Sequence, residues 1–380
     1  MAIDTFLVAG ARPNFMKVAP LYRAMRASGA FAVQFVHTGQ HHDAALSDVF
    51  LRDLGLPRPD ISLDVGSGSH GLQTARVLER FEAALGEHRP ALVVVVGDVN
   101  STLACALAAS KTCYADGRRP VVAHVEAGLR SWDRTMPEEI NRVVADAVSD
   151  LLFVTERSAL ANLEREGIDR NRVFFVGNVM IDTLLAQLGA FADVAAWTRF
   201  GVHPGDYGVV TLHRPSNVDD AVSLKRMLDV LETVARRLPL VFPVHPRTRA
   251  RLDDLGGTHS SALMLAPPMA YPEFMSLVSG ARMVLTDSGG LQEETSVLGV
   301  PCLTLRNNTE RPVTVEAGTN RLVGTDPCDI IAAAQRVLDA PRPGPMVPEL
   351  WDGRAAGRIT TVLTDYFERR GTTARLPASA

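Results

Sequence analysis

The stretch VLTDSGGLQEETSVLG, residues 284–299, joins a short apolar run to a helical-looking segment through a turn with two adjacent glycines. The same succession recurs nearly throughout the chain, where short apolar runs alternate with longer amphipathic segments. Most of the apolar runs are continuous rather than alternating, as expected for parallel strands that are buried on both faces of a sheet. The sequence therefore predicts an α/β fold built from doubly wound parallel sheets.

The predicted strands are too many for one open sheet, since strongly twisted sheets rarely exceed about ten strands. We expect two Rossmann-like sheets in succession, with the break between them in the polar stretch 177–207. The predicted strands are Thr5–Ala9, Phe31–His37, Leu92–Val96, Val121–Val125, Leu151–Val154, Val173–Val176, Gly208–Leu212, Leu240–Val244, Leu263–Leu265, Met283–Thr286 and Cys302–Leu305.

Two domains follow from this division, and a chain of 380 residues is long enough to hold them. The first is predicted to span residues 1–178 and the second residues 179–354. Apolar residues from Ile359 to Phe367 have helical spacing, which predicts an amphipathic C-terminal helix over residues 355–369. Residues 370–380 are predicted to form a flexible tail.

Composition and charge narrow the class of protein. Hydrophobic residues make up 46% of the chain and charged residues 22%, and the net charge of −4 offers no large basic surface for nucleic acid. The four cysteines are scattered without a CxxC pair, which predicts reduced thiols and no metal site. No apolar run reaches the roughly 18–20 residues of a membrane span, and the start of the chain does not resemble a signal peptide, so a cytoplasmic location without membrane contact is expected.

The segment GSGSHG, residues 66–71, matches the G-x-G-x-x-G pattern of dinucleotide-binding loops. It follows a poor candidate for a buried strand, and no acidic strand end stands about 20 residues further on. We therefore interpret it as a loop before a helix over residues 72–86, and we infer no nicotinamide or other cofactor.

Polar side chains follow most of the predicted strands. In open α/β sheets, ligands bind outside the carboxyl ends of the strands, and two sheets that face each other across these ends would form one interdomain cleft. The segments that would line this cleft are GARPNFMK, TGQHHD, GDVNST and EAGLRSWDRTMPEEINR in the first half, and HRPSN, HPR and DSGG in the second.

Ser288, Gly289 and Gly290 open a predicted helix. The first N–H groups of a helix attract anions, and glycines let a phosphate approach the backbone closely. The alternative is a tight turn that merely caps the helix. Glu294 lies one turn further along, where a carboxylate could accept hydrogen bonds from the ribose of the same ligand.

Three cations could hold the same diphosphate. Arg12 and Lys17 lie at the start of a predicted helix, where positive charge opposes the macrodipole unless an anion sits between the two side chains. Arg311 follows in a loop as a second phosphate clamp. For the first pair, the alternative is a solvated basic turn.

Asp98, Glu126, Glu138 and His213 are the candidates for acid–base chemistry. Carboxylates that share a poorly hydrated cleft shift each other's pKa, so one can hold a proton while another accepts one. An imidazole can shuttle a proton or donate to a leaving phosphate. Each residue has a structural alternative: Asp98 as a helix cap, Glu138 as a first-turn acid, and His213, like His245, as a strand-end imidazole. Glu126 is the hardest to explain this way, because it directly ends a hydrophobic strand.

These motifs, together with GNVMIDTL, TLHRPSNVDD, PVHPR and TDSGGLQEETSVLGVPCLTLRNNTERPVTVEAGTN, closely resemble the non-hydrolysing UDP-N-acetylglucosamine 2-epimerases, in order from about residue 6 to 325. The resemblance implies GT-B architecture, in which a UDP-sugar binds between two Rossmann-like domains and the C-terminal helix packs back on the first. It also implies a homodimer. The implied reaction is reversible conversion of UDP-N-acetylglucosamine (UDP-GlcNAc) into UDP-N-acetylmannosamine (UDP-ManNAc) by elimination and re-addition of UDP without a cofactor, for surface polysaccharide synthesis.

The resemblance also assigns roles to single residues. Asp98, Glu126, Glu138 and His213 correspond to the catalytic group. Glu294 corresponds to the ribose ligand. The remaining substrate contacts are Arg12, Lys17, Ser288, Gly289, Gly290 and Arg311 around the diphosphate and sugar, and Phe274 with Met269 beside the uracil.

Some positions depart from the usual family pattern. The segment 215–217 reads PSN where members usually carry Glu before Asn, and Met269 stands where some bacterial members carry a polar residue. Gln40, His41 and His245 are candidate regulatory residues for a second UDP-GlcNAc, although the Met that follows the Gln-His pair in bacterial relatives is missing. These departures leave three alternatives: an epimerase of a modified UDP-GlcNAc, a GT-B glycosyltransferase, and a UDP-sugar-binding regulator without catalysis.

Overall fold

The computed structural model of the chain describes residues 2–40, 51–218, 220–254 and 260–373. Two compact units are present: a first unit of Met1–Thr183 with Glu349–Ala380, and a second unit of Leu184–Pro348. The sequence placed the junctions after residues 178 and 354, whereas the compact units divide after residues 183 and 348.

In the described residues, the first unit contains a sheet of seven parallel strands in the order β3-β2-β1-β4-β5-β6-β7. The strands are β1 Ile3–Ala9, β2 Phe31–His37, β3 Ile61–Ser62, β4 Leu92–Val96, β5 Val121–Ala127, β6 Leu151–Val154 and β7 Val173–Phe175. The helices are α1 Arg12–Ser28, α2 His70–His88, α3 Asn100–Lys111, α4 Pro137–Val148, α5 Arg157–Arg165 and α6 Val179–Val194, the last of which continues past the division into the second unit.

The described part of the second unit contains six parallel strands in the order β10-β9-β8-β11-β12-β13. They are β8 Gly208–Thr211, β9 Leu240–Pro243, β10 Leu263–Ala266, β11 Met283–Thr286, β12 Cys302–Thr304 and β13 Asn320–Leu322. The helices are α7 Pro215–Val218, α8 Ala221–Ala235, α9 Pro246–Asp254, α10 Tyr271–Gly280, α11 Gly289–Leu298, α12 Val313–Glu316 and α13 Pro327–Asp339.

The strand order reverses at one place in each sheet. In the first unit the reversal lies between β1 and β4, and in the second between β8 and β11. A crevice forms outside the carboxyl ends of the strands at such a switch point, and this is where open α/β sheets bind ligands. The residues after β1 and β4 therefore lie at the switch point of the first sheet, and those after β8 and β11 at the switch point of the second.

The prediction of an α/β fold with two parallel sheets is confirmed. Every residue of β4 is buried, as the continuous LVVVV run requires, and each fully buried valine or leucine stabilises the fold by about 1.5–3 kcal/mol. Two strands were missed, β3 and β13, because edge strands of two and three residues carry no readable periodicity. The helix predicted over 72–86 begins at His70, since the Ser69 hydroxyl accepts a hydrogen bond from the Leu72 N–H.

The last described segment belongs to the first unit. A C-terminal helix, α14 Ala355–Thr373, begins where the carboxylate of Asp182 accepts the backbone N–H groups of Ala355 and Ala356 at 3.1 and 2.7 Å. The buried indole of Trp351 donates to the Thr155 carbonyl at 2.9 Å. The predicted tail of residues 370–380 lies outside the described residues from position 374 onward. No described helix has the length and apolarity that a membrane span requires.

Candidate functional site

Asp98 follows β4 directly and is held by an arginine that the sequence reasoning missed. Its carboxylate accepts a hydrogen bond from Nη2 of Arg142 at 2.6 Å. Nη1 of the same arginine donates to the carboxylate of Glu139 at 2.8 Å. The Arg142 side chain is almost fully buried, while that of Asp98 is 25% exposed. The carboxylate is therefore oriented from α4 and still reachable from outside. Arg142 follows Glu139 by three residues on the same helix, and this i, i+3 spacing of an acid and a base was the available signal.

Glu126 lies in β5 with a φ of +73°, a left-handed conformation that is rare for residues other than glycine. The pairing between β5 and β6 shifts register there, between Val125 and Ala127, which marks a β-bulge. A residue held in this way costs about 1–3 kcal/mol, and such strain clusters at functional sites. The bulge turns the Glu126 carboxylate to a buried ion pair with Lys17 of α1.

The two adjacent acids at the start of α4 have different roles. Glu139 is buried, and its carboxylate accepts N–H and O–H of Ser131 at 2.9 Å and the Trp132 N–H at 3.0 Å. Glu139 thus fixes the loop before the helix. Glu138 is half-buried in the same first turn. Glu139 is therefore committed to the loop, and the role of Glu138 in acid–base chemistry stays a prediction.

A buried network of polar side chains connects the carboxyl ends of β4 and β5. Nδ1 of His124 lies 2.7 Å from Oδ1 of Asp146, and its Nε2 lies 2.8 Å from the Gly97 carbonyl. Oδ2 of Asp146 pairs with Arg130 at 2.7 Å and accepts the Gly128 N–H at 3.0 Å. Burial acts to raise the pKa of Asp146, but the charges and hydrogen bonds of His124 and Arg130 outweigh it and hold that pKa below the usual value. The network thus holds Gly97, which precedes Asp98, and His124 and Gly128, which lie two residues to either side of Glu126.

In the second unit, Asp287 organises the loop after β8. Its buried carboxylate lies 2.8 Å from Nδ1 of His213. It also accepts hydrogen bonds from the backbone N–H groups of His213 and Arg214 at 2.9–3.1 Å and from the side-chain amide of Asn217 at 2.9 Å. Burial acts to raise the pKa of Asp287, but these hydrogen bonds hold it below the usual value. His213 is therefore an oriented imidazole whose ring remains 59% exposed.

The glycine turn that opens α11 matches an anion site more closely than a side-chain cap. Ser288 occupies the N-cap position of α11 but makes no side-chain capping hydrogen bond. The carboxylate of Asp287 is instead hydrogen-bonded to the loop after β8. Gly289 has a packing reason to be glycine: a Cβ there would lie 2.7 Å from Nη1 of Arg311 and 2.8 Å from Oε1 of Glu310. The backbone at the start of α11 therefore lies directly against a guanidinium.

Arg311 is buried and forms ion pairs with two carboxylates, unlike a solvent-exposed arginine. Its Nε lies 2.7 Å from Glu293 and its Nη1 2.8 Å from Glu310. Glu310 in turn pairs with Arg306 at 2.8 Å. These carboxylates fix the guanidinium beside the start of α11, which is the position that the phosphate-clamp hypothesis needs.

Glu294 is the neighbouring acid on α11 and is also buried. Its carboxylate accepts the Tyr271 hydroxyl at 2.8 Å. Burial raises its pKa to about 8, although the Tyr271 hydrogen bond acts to lower it and the nearby charge of Glu293 adds to the rise. Tyr271 is another neighbour of the predicted site that the sequence reasoning missed.

The other predicted site residues are distributed as follows. Arg12 is the first residue of α1, and its side chain lies outside the described part of the structure. Met269, in the loop after β10, and Phe274, in α10, are both half-buried. His245 is exposed after β9.

Of the predicted regulatory pair, only Gln40 is described. It is buried and accepts the Ser101 hydroxyl at 2.8 Å, which gives it a structural partner on α3. His41 lies outside the described residues. The prediction of a regulatory role therefore stays a prediction.

The comparison with known proteins gives the family. The model of the UDP-N-acetylglucosamine 2-epimerase family matches residues 23–364. The chain belongs to this family. A UDP-N-acetylglucosamine 2-epimerase of Methanocaldococcus jannaschii is 40% identical over 369 residues, which cover 94% of this chain and 98% of that protein. A UDP-2,3-diacetamido-2,3-dideoxy-D-glucuronate 2-epimerase of Pseudomonas aeruginosa is 40% identical over 335 residues, or 87% and 91% of the two chains.

The solved structures of UDP-N-acetylglucosamine 2-epimerases share this fold. The M. jannaschii enzyme in complex with UDP-GlcNAc and UDP superimposes with a TM-score of 0.84 at 39% identity, covering 96% of this chain and 100% of that one. The predicted family and the predicted GT-B architecture of two Rossmann-like domains are thereby confirmed. The chain is an epimerase of this family.

Proposed function

We propose that the protein interconverts UDP-GlcNAc and UDP-ManNAc by inverting C2 of the sugar, and that its product serves surface polysaccharide synthesis. The support is the 40% identity to an epimerase over 94% of the chain, together with the acidic strand ends of the first unit. Asp98, Glu126, Glu138 and His213 are the proposed catalytic residues, as the resemblance implies.

The reaction begins with the leaving group. The C2 proton of the sugar is not acidic by itself, and weakening the anomeric C–O bond builds positive charge at C1 that makes C2–H easier to remove. Departure of UDP requires a stabilised diphosphate, and the N-terminus of α11 with the guanidinium of Arg311 provides donors and positive charge for it. Lys17 and Arg12 are the proposed phosphate contacts from α1 of the first unit.

Proton transfer completes the elimination. One carboxylate takes the C2 proton, the C2–H electron pair becomes the C1=C2 bond, and UDP leaves with the anomeric C–O pair, giving 2-acetamidoglucal. A second acid then returns a proton to the opposite face of C2 while UDP re-adds at C1. Glu126 and Glu138 fit these roles, because Glu126 is buried beside a cation while Glu138 is half-buried in another environment. His213, oriented by Asp287, is proposed to exchange a proton with the leaving diphosphate.

A modified UDP-GlcNAc is the second candidate substrate. The observation that favours it is the P. aeruginosa relative, which is as similar to this chain as the M. jannaschii enzyme and is named for a diacetamido glucuronate. The PSN sequence at residues 215–217 and Met269 depart from the usual family pattern in the segments proposed to meet the substrate.

Proton NMR in D₂O tests both candidates. The enzyme is incubated separately with UDP-GlcNAc and with UDP-2,3-diacetamido-2,3-dideoxy-D-glucuronate, and we expect deuterium at C2 and new signals of the C2 epimer with the true substrate. Absence of both from UDP-GlcNAc would reject the first candidate. UDP release only when a sugar acceptor is added would instead indicate a glycosyltransferase, and tight binding without turnover a regulator.

The homodimer implied by the resemblance is also a proposal, because only one chain is described. Light scattering of the purified protein measures it directly. A mass of twice the 41.0 kDa of the chain is expected.

A further inference from the structure

The side chain of Tyr271 connects the first residue of α10 to the carboxylate in the middle of α11. Its hydroxyl donates to Oε1 of Glu294 at 2.8 Å, and Glu294 is only 5% exposed. The ring of Tyr271 packs edge-on to the buried ring of Phe191, with centroids 5.9 Å apart and planes at 78°. Ring packing and hydrogen bond together fix where this hydroxyl points.

Packing alone does not explain a tyrosine at this position. A phenylalanine would make the same ring contact with Phe191, whereas burying a hydroxyl is unfavourable unless it finds a partner. The partner found is the buried carboxyl group of Glu294, whose pKa burial and the charge of Glu293 raise and the Tyr271 hydrogen bond lowers. Glu293 is itself paired with Arg311 at 2.7 Å. Tyr271 is thus the group that orients Glu294.

A carboxylate can accept about four hydrogen bonds through its two oxygens. The Tyr271 hydroxyl uses one site on Oε1, which leaves acceptor capacity for the hydroxyls of a ligand. An oriented carboxylate can accept two hydrogen bonds from the vicinal diol of a ribose, whereas a deoxyribose offers only one of them. At a pH above the raised pKa of Glu294, where its carboxylate is ionised, removing one hydrogen bond to it changes affinity by roughly tenfold or more.

We propose that Tyr271 is a positioning residue that fixes the Glu294 carboxylate for the two ribose hydroxyls and so makes the site selective for ribonucleotides over deoxyribonucleotides. The inference rests on the proposed function, in which Glu294 contacts the ribose. It adds a specificity device that lies outside the catalytic group.

Calorimetric titration with UDP, 2′-deoxy-UDP and 3′-deoxy-UDP tests it at pH 9, where Glu294, with a pKa of about 8, is ionised. For the unchanged protein we expect each deoxy analogue to bind about tenfold or more weakly than UDP. Tyr271→Phe should reduce both ratios to about threefold or less. Tyr271→Leu, a second variant without the hydroxyl, should reduce both affinity ratios in the same way. Retention of the original ratios in either folded variant overturns the proposal.

Two further variants separate the possible outcomes. Tyr207→Phe is the matched control, since Tyr207 is a buried tyrosine of the same unit whose hydroxyl donates to the Leu277 carbonyl instead, and it should keep the ratios. Glu294→Gln should lose them. If Glu294→Gln keeps them while the unchanged protein epimerises UDP-GlcNAc by NMR, the inference fails and the proposed reaction stands. If no deuterium enters C2 of either substrate, the proposed function fails.

Discussion

Glu126 combines three properties that seldom occur together in one residue: a left-handed backbone, near-complete burial and a carboxylate paired with a buried lysine. The local sequence signals only the burial, because an acid that directly ends the apolar run VVAHV has no solvent to face. The bulge and the Lys17 partner depend on β6 and α1, which lie far away in the sequence.

Replacing the proposed acid–base groups by amides should abolish turnover without abolishing nucleotide binding. Glu126→Gln and Glu138→Gln keep the side-chain size but cannot transfer the proton, so we expect turnover to fall by about 10²-fold or more. Initial rates by NMR and UDP affinity by calorimetry measure the two effects. Glu139→Gln is the matched control for a structural acid, and its main effect should be on stability. Full activity in Glu126→Gln or Glu138→Gln removes that residue from the mechanism.

The raised pKa of Glu294 gives a pH-dependent prediction. Its pKa rises from the usual 4.5 to about 8 on folding, so the folded protein holds a proton that the unfolded chain has lost between these values. The folded protein is therefore favoured at low pH, and this contribution disappears as pH rises from about 4.5 through about 8. Glu294→Gln removes the titration and should stabilise the protein relative to the unchanged chain by up to about 5 kcal/mol at pH 9.

Urea denaturation at pH 5 and pH 9 measures this difference. The gain from Glu294→Gln should be small at pH 5 and larger at pH 9, because only the unchanged protein must ionise a buried carboxyl. Equal differences at the two pH values would contradict the raised pKa.

At the scale of elements, the network around Asp146 connects β4, β5 and α4. Its carboxylate is fully buried and serves His124, Arg130 and the Gly128 N–H at once. The strands were predicted from the sequence but this network was not, because its hydrogen-bonded members are separated by up to 27 residues and each side chain looks like an ordinary polar one.

Asp146→Asn should destabilise the protein strongly. Asparagine has a similar shape but lacks the negative charge, and it places an amide donor against existing donors, leaving the buried guanidinium of Arg130 poorly compensated. Breaking such a pair costs about 3–5 kcal/mol, measured as the apparent free energy of unfolding in urea. Asp116→Asn is the control, because Asp116 pairs with Arg118 at the surface and its loss should not be measurable. Similar stability of the two variants would contradict the structural role of the network.

The elements themselves were largely predictable. Four of the predicted strands, Phe31–His37, Leu92–Val96, Leu151–Val154 and Met283–Thr286, match the structure residue for residue. Most residues of these runs are apolar, and the change to polar or turn residues beyond them marks where each strand ends. The start of α2 was misplaced because the capping by Ser69 is a weaker signal than the glycines around it.

At the scale of the whole molecule, the chain returns to the first unit after completing the second. Trp351 carries much of this return, since its side chain is 1% exposed and its indole N–H is bonded to Thr155. Such a return was predicted from the family resemblance alone. The apolar spacing in α14 shows that this helix has a buried face, but it does not show which element that face packs against.

Trp351→Ala should cost about 3–5 kcal/mol of stability, because it removes a large buried side chain and leaves a cavity. Urea denaturation with a probe of the first unit measures the loss. Val347→Ala is a suitable control, since Val347 is 52% exposed in the same segment and should have almost no effect. A loss below about 1 kcal/mol for Trp351→Ala would show that the segment is not needed to hold the first unit together.

The sequence by itself determined the class of fold, the order of its elements, the family and most of the candidate site residues. Local patterns suffice for these, because strand burial, turn chemistry and the motifs after each strand are encoded within a few neighbouring residues. Only the tertiary structure showed that Glu139 holds the loop before α4, which carboxylates the buried cations pair with, and that Tyr271 is hydrogen-bonded to Glu294. Those outcomes depend on desolvation and on partners from distant parts of the chain, and no local pattern of residues carries that information.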